Sequence, residues 1–147
     1  MRKYTILFLF LLLACSLAAF SDEETVPELV RRADAAPLDQ QPELYTKIAE
    51  RQLKNADHFY EQGKVDEAEP CVKDIVTYSE KAADTSIRSG KRLKNTEIAL
   101  RKISTRLRDL QRTVSFDDQA TLKTAADRLE DLRTNLLSRM FSKEKKK

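Results

Sequence analysis

From Ala68 onward, apolar or small residues recur at alternating steps of four and three: Ala68, Val72, Ile75, Ser79, Ala82, Ser86, Ser89, Leu93, Thr96, Leu100, Ile103, Leu107, Leu110 and Val114. That spacing keeps one stripe on one side of a helix, the heptad seam of helices that pack along each other. Gly90 interrupts the seam, and a glycine inside a helix costs roughly 1 kcal/mol. The phase is nevertheless the same on both sides of it, which predicts one long helix bent near Gly90 rather than a free turn. Pro70 falls in the second turn and should distort the start of this helix without ending it.

The flanking segments are helical by the same criteria. A short helix over Pro27 to Ala35 opens with proline in its first turn and ends before Pro37. The next runs from Gln41 to Gln62, with Tyr45, Ile48, Ala49, Leu53, Ala56, Phe59 and Tyr60 on one side, and stops at Gly63. After Val114, Ser115 with an acid three residues on reads as a helix cap, and the last helix reaches Phe141 with Leu122, Ala126, Leu129, Leu132, Leu136 and Met140 as its stripe. Two glycines and four prolines leave little turn chemistry for strands. The expected fold is all-α: antiparallel helical hairpins around one long, bent central helix. Two architectures fit, a coiled-coil-like rod about 70 Å long or a four-helix bundle folded at Gly90.

The start of the chain obeys another logic. Arg2 and Lys3 precede an apolar run from Ile6 to Phe20, and Ala19-Phe20-Ser21 sets small residues at the two cleavage-site positions, the pattern of a secretory signal peptide. As a helix the run spans about 22 Å, short of the roughly 30 Å hydrocarbon core, so an uncleaved anchor fits less well. Leu12-Leu13-Ala14-Cys15 also resembles a bacterial lipobox, although the Leu-Ala-Ala-Phe stretch after Cys15 is more apolar than the usual polar tether. The expectation is export, periplasmic or secreted, with a lipoprotein anchored at Cys15 as the alternative. The chain then divides into a signal peptide (1–21), an N-terminal segment with the short helix (22–40), a helical domain (41–141) and a basic disordered tail (142–147).

Cleavage after Ser21 removes Arg2 and Lys3 from 27 basic residues and nothing from 24 acidic ones, leaving 25 against 24. Net charge is therefore no guide to partners. Only Cys71 remains in the mature chain, so no internal disulfide can form and stability must come from helix packing. Cys71 reads as a small buried side chain, with a reactive or intermolecular thiol as the alternative.

One histidine, His58, is too few for a di-iron bundle, which needs two Glu-x-x-His pairs; Asn55 stands three residues before it. Haem held between His58 and Met140 is the remaining axial pair that a bundle would allow. No glycine-flanked serine offers a nucleophile elbow. Asp117-Asp118 and Glu130-Asp131 fit capping and solvated helix faces better than acid–base work. The residues thus point to no catalytic centre, no cofactor and no metal.

Within residues 50–83, Ala56, Phe59 and Tyr60, the Gln62-Gly63-Lys64 turn, Asp66-Glu67-Ala68, and then Val72, Ile75 and Tyr78 resemble a single tetratricopeptide repeat. The segment departs from that pattern at Asn55, where a large apolar residue is usual, and at Pro70. The resemblance implies a helical hairpin but no peptide groove, which needs about three stacked repeats. The rest of the chain resembles small exported bacterial helical proteins without assigned function, and that resemblance supplies no site residues.

The charge layout carries the most functional information. Residues 22–87 hold 8 basic and 16 acidic side chains, whereas residues 88–112 hold 9 basic and 2 acidic. An acidic first half can neutralise the basic helix within one molecule or across a dimer. The other reading is a docking surface for something anionic. Ile87 and Ile98 lie outside the seam and eleven residues apart, so on a continuous helix they share a face with Lys91 and Lys94, either to seat the short first helix or to meet a partner.

The candidate interaction residues are Ile87, Lys91, Arg92, Lys94, Ile98, Arg101, Lys102, Arg106 and Arg108. The leading expectation is a non-enzymatic adaptor or scaffold contacting a protein partner in the cell envelope, with homo-oligomerisation through unfinished seam surface. The alternative is binding of a polyanion or an anionic envelope surface through the same cations, with the tail Lys143 to Lys147 adding weak, salt-sensitive attraction. No aromatic residue lies among the basic positions, which argues against single-stranded nucleic acid.

Overall fold

A computed structural model describes residues 24–144. The signal-peptide pattern, the lipobox at Cys15 and the last three lysines lie outside the described residues. Within them are five α-helices and no strand: α1 (Val26–Ala35), α2 (Gln41–Glu61), α3 (Val65–Ser89), α4 (Leu93–Gln111) and α5 (Gln119–Glu144), with a 3-10 turn at Phe116–Asp118 before α5. No described helix is long and apolar enough to cross a membrane.

Local chemistry sets the helix ends. At the start of α1 the Thr25 backbone N–H and hydroxyl donate to the Glu28 carboxylate at 2.9 and 2.8 Å, satisfying an otherwise orphan donor. The backbone bond first, then the hydroxyl bond, hold that carboxyl below its usual range. α2 closes on Gly63 at φ 70°, where Gly63 N–H bonds the Tyr60 carbonyl at 3.0 Å and Lys64 N–H bonds that of Phe59 at 2.9 Å. These two bonds consume the last carbonyls of the helix and reverse the chain.

The expected continuous helix is two helices. α3 ends at Gly90, which takes a left-handed φ of 66°, and Arg92 comes next but one with φ 58°. Two left-handed residues within three positions turn the chain back on itself. The Ser86 hydroxyl donates to the Lys91 carbonyl at 2.8 Å and meets the Thr96 hydroxyl at 2.9 Å, so small polar seam residues fasten this turn. The seam keeps its phase because both helices bury their stripes in one shared core. Ser79, Ala82 and Ser86 before the turn, and Leu93, Thr96 and Leu100 after it, are all buried.

The rod is therefore excluded and the chain is a bundle folded at Gly90. α2 pairs antiparallel with α3, and α4 with α5; α2 also lies along α4, and α3 along α5. The ion pairs Glu43–Arg92 and Asp57–Arg106 join the starts and the ends of α2 and α4, so these two run parallel. Around the ring the order is α2, α3, α5, α4. The α2–α4 and α3–α5 seams consequently face opposite sides of the bundle.

α1 packs Leu29 and Ala33 against Tyr45 and Ile48 of α2 and Ala82 of α3. It is not seated on Ile87 and Ile98, since those residues are now on different helices. One polar cluster crosses the α4–α5 contact: Arg133 bonds Glu97 at 2.7 Å and Glu130 at 2.5 Å, and the Ser104 hydroxyl donates to Glu130 at 2.6 Å.

Candidate functional site

The nine cations of residues 88–112 fall into two groups. Arg88, Arg92, Arg106, Arg108 and Arg112 pair within the chain with Asp84, Glu43, Asp57, Asp127 and Asp109, at distances of 2.6 to 3.3 Å. Three of those acids belong to the acidic first half, so internal neutralisation operates at Arg88, Arg92 and Arg106. Asp127 is held below the usual carboxylate range, chiefly by its hydrogen bond from Lys123 and further by Arg108. These pairs are largely solvated, and each contributes about 1 kcal/mol at most. Their main effect is to fix where the charges stand.

Lys91, Lys94, Arg101 and Lys102 form no ion pair among the described residues and are exposed. Ile98 is half-buried between them, one turn from Lys94, Arg101 and Lys102. Ile87 does not share that surface. It lies on α3, partly buried against the core, and the eleven-residue spacing that linked it to Ile98 holds only along an unbroken helix.

α2 adds a component that the charge run along the chain does not reveal. Lys47, Arg51 and Lys54 recur at i, i+4 and i+7 and, with Lys102 of α4, line a groove of about 350 Å³. Leu29, Leu53 and Ile103 form its floor, and Glu50 is the one carboxylate in its lining. Arg51 also donates to the Glu24 carbonyl at 3.1 Å. A second recess of about 400 Å³, bounded by Glu43, Thr46, Arg92 and Asn95, continues the same seam past Lys47 and Glu50. The Glu43–Arg92 and Asp57–Arg106 pairs clamp the two ends of this seam.

This arrangement suits an anion with an apolar part. Lys47, Lys54 and Lys102 form no ion pair among the described residues and outnumber the one carboxylate of the lining, so they attract negative charge, while half-buried Leu53 offers apolar contact above the buried Leu29 and Ile103. A carboxylate 4 Å from one ammonium gains about 1 kcal/mol in bulk water and about 4 kcal/mol at the effective dielectric of a protein surface.

The other candidates do not converge. His58 is exposed on α2 and hydrogen-bonded to Gln62 at 2.8 Å. Met140 is at the opposite end of the bundle, because α5 runs antiparallel to α2. The Ser115 hydroxyl donates to the Asp118 carboxylate at 2.6 Å in the turn before α5, and it accepts no backbone N–H, so the expected cap is replaced by a side-chain bond within a 3-10 turn. Cys71 is buried, donates to the Glu67 carbonyl at 3.5 Å, and its thiol is pushed up by burial. No protein-family model, curated protein or solved structure matches the chain.

Proposed function

We propose that the chain is a non-enzymatic exported adaptor whose α2–α4 face docks an acidic segment of a protein partner in the cell envelope. The groove ringed by Lys47, Arg51, Lys54 and Lys102 over Leu29, Leu53 and Ile103 supports this reading. Ile98 within Lys94, Arg101 and Lys102 extends the same chemistry along α4. Ile98 is already half-buried, so covering the rest of it contributes about 1 kcal/mol, and screened cation contacts add a few tenths to 1 kcal/mol each. The export reading draws on the pattern of residues 1–21.

The test is recovery of the tagged full chain from its native envelope at low and at about 0.5 M salt. A discrete protein retained through the salt wash, and lost with Ile98→Asp or with Lys54→Glu/Lys102→Glu, supports the adaptor. The second reading, a binder of polyanions or anionic membrane surface, is favoured by the exposed Lys91, Lys94 and Arg101, which stand outside the groove. Complete elution by salt, with binding to anionic lipid vesicles in its absence, would establish that reading instead.

A further inference from the structure

The two ends of the bundle carry opposite charge. One end gathers the turn at residues 90–92, the start of α4 and the end of α5; the other holds Gly63 and the turn before α5. At the first, Lys91, Lys94 and Arg139 are exposed and form no ion pair among the described residues, whereas Arg88 and Arg92 are compensated by Asp84 and Glu43. Asp39, which shares a recess with Lys91 and Arg92, is exposed there without an ion pair among the described residues. At the second, Glu61, Asp66, Glu67 and Asp117 are exposed and form no ion pair among the described residues, against Lys64.

α5 projects beyond the basic end. Glu97 of α4 meets Arg133 of α5, so antiparallel pairing sets Leu93 level with Leu137, and Ser138 to Glu144 carry α5 about 10 Å past the start of α4. On this projection Met140 still touches the core, but Phe141 is 59% exposed. The sequence then closes on Lys143-Glu144-Lys145-Lys146-Lys147. Among the described residues the other exposed large apolar side chain is Phe116, 86% exposed at the acidic end.

We propose that the basic end docks onto an anionic lipid surface, with the Phe141 ring among the headgroups and Lys91, Lys94, Arg139 and the lysines of the tail on the lipid phosphates. A polybasic segment or a single apolar anchor alone binds a membrane marginally, whereas the two together hold it. Phe141 and the cations supply both at the tip of one projecting helix. A soluble polyanion would engage the cations but offer the ring no apolar layer to enter. The charge difference between the ends orients the molecule, since the surface that attracts the lysines repels the carboxylates around Phe116. A bundle standing on this end keeps the α2–α4 groove open at its side, so the docking neither rests on nor competes with a protein partner there.

The chain has no tryptophan, so Phe141→Trp and Phe116→Trp each provide a single emitter, one at either end. The chain from Asp22 onward, which carries all five helices, is mixed at about 0.1 M salt with vesicles of phosphatidylglycerol and phosphatidylcholine in equal parts, and with phosphatidylcholine alone. It should sediment with the mixed vesicles only and be released at about 0.5 M salt. Emission should shift to the blue at position 141 and stay unchanged at position 116. Replacing Lys143, Lys145, Lys146 and Lys147 with glutamine should weaken binding at least a hundredfold, at roughly fivefold for each cation near the surface. Phe141→Ser, with an unfolding curve matching that of the unaltered protein, should weaken it about tenfold. Absence of binding to the mixed vesicles, equal binding to phosphatidylcholine, a shift at position 116, or less than a tenfold loss in the glutamine variant would each overturn the proposal. Binding that leaves the emitter at position 141 in water would overturn it too, since that is charge capture such as any polyanion gives.

Discussion

Replacing Arg133 with methionine removes the cation from the cluster that joins α4 to α5. The guanidinium bonds Glu97 through Nε at 3.0 Å and Nη2 at 2.7 Å, and Glu130 through Nη1 at 2.5 Å. The Glu97 side chain is only 9% exposed and that of Arg133 18%, whereas Glu130 is 38% exposed and can turn to water. The variant therefore leaves one carboxylate buried without its counter-charge, a loss of about 3–5 kcal/mol for a buried pair. The lower end applies, since the second carboxylate is half free to rehydrate. About 3 kcal/mol is a large share of the 5–15 kcal/mol that holds a small domain together. With a urea m-value of about 1.5 kcal/mol/M, the unfolding midpoint should fall by about 2 M. Converting Glu97 to methionine in the same chain removes the stranded charge and should bring stability back to within about 1 kcal/mol of the parent. A single-variant loss under about 1 kcal/mol, or a double variant no more stable than the single, would refute the reasoning.

The Tyr45 phenol, buried and hydrogen-bonded to Asp34 at 2.7 Å, is pushed up to about 12, first by burial and then by that bond. A folded-state value raised above the unfolded one gives stability that is complete below about pH 10 and is lost between about pH 10 and 12; Tyr45→Phe should flatten that part of an alkaline unfolding curve. Ser79 is fully buried and its hydroxyl has no partner among the described residues, so Ser79→Ala should leave stability unchanged or raise it by about 1 kcal/mol in urea titration; a clear loss would refute this. At Gly63 an added Cβ meets nothing within 4 Å and only the φ of +70° opposes it. Gly63→Ala should therefore lose about 1 kcal/mol, with little change in the crystal structure of the variant.

Much of the fold was legible because burial follows helical period. Ala68 to Leu110 along the seam, and Leu122 to Leu136 in the last helix, carry the stripes that the bundle buries. The helix ends at Pro37 and Gly63 were legible from local chemistry, whereas Ser115 opens a 3-10 turn without capping it and the last helix starts at Gln119. The turn at Gly90 was not legible, because an unbroken heptad phase is compatible with two helices that share a core. The stabilising bonds of Ser86 to Lys91 and Thr96 exist only once the turn has formed.

The basic surface was half legible. The charge run on α4 stands out along the chain, but Lys47, Arg51 and Lys54 come from a segment that is acidic on average. Only the parallel pairing of α2 with α4 brings them beside Lys102. Likewise Ile87 and Ile98 could be separated only by the path of the backbone between them.

The order of contacts along the chain bears on how the protein assembles during synthesis. The paired helices meet across short connections, with residues 62–64 alone joining α2 to α3 and residues 90–92 alone joining α3 to α4. Loop closure over such spans is inexpensive, and chains dominated by local contacts fold in microseconds to milliseconds. The α2–α3 hairpin can thus form while α4 and α5 are still being made. Until they arrive, that hairpin shows water the flank carrying Ala56, Val72 and Ile75, which the finished bundle buries. A half-synthesised chain is sticky on one side, and the second hairpin is what shields it.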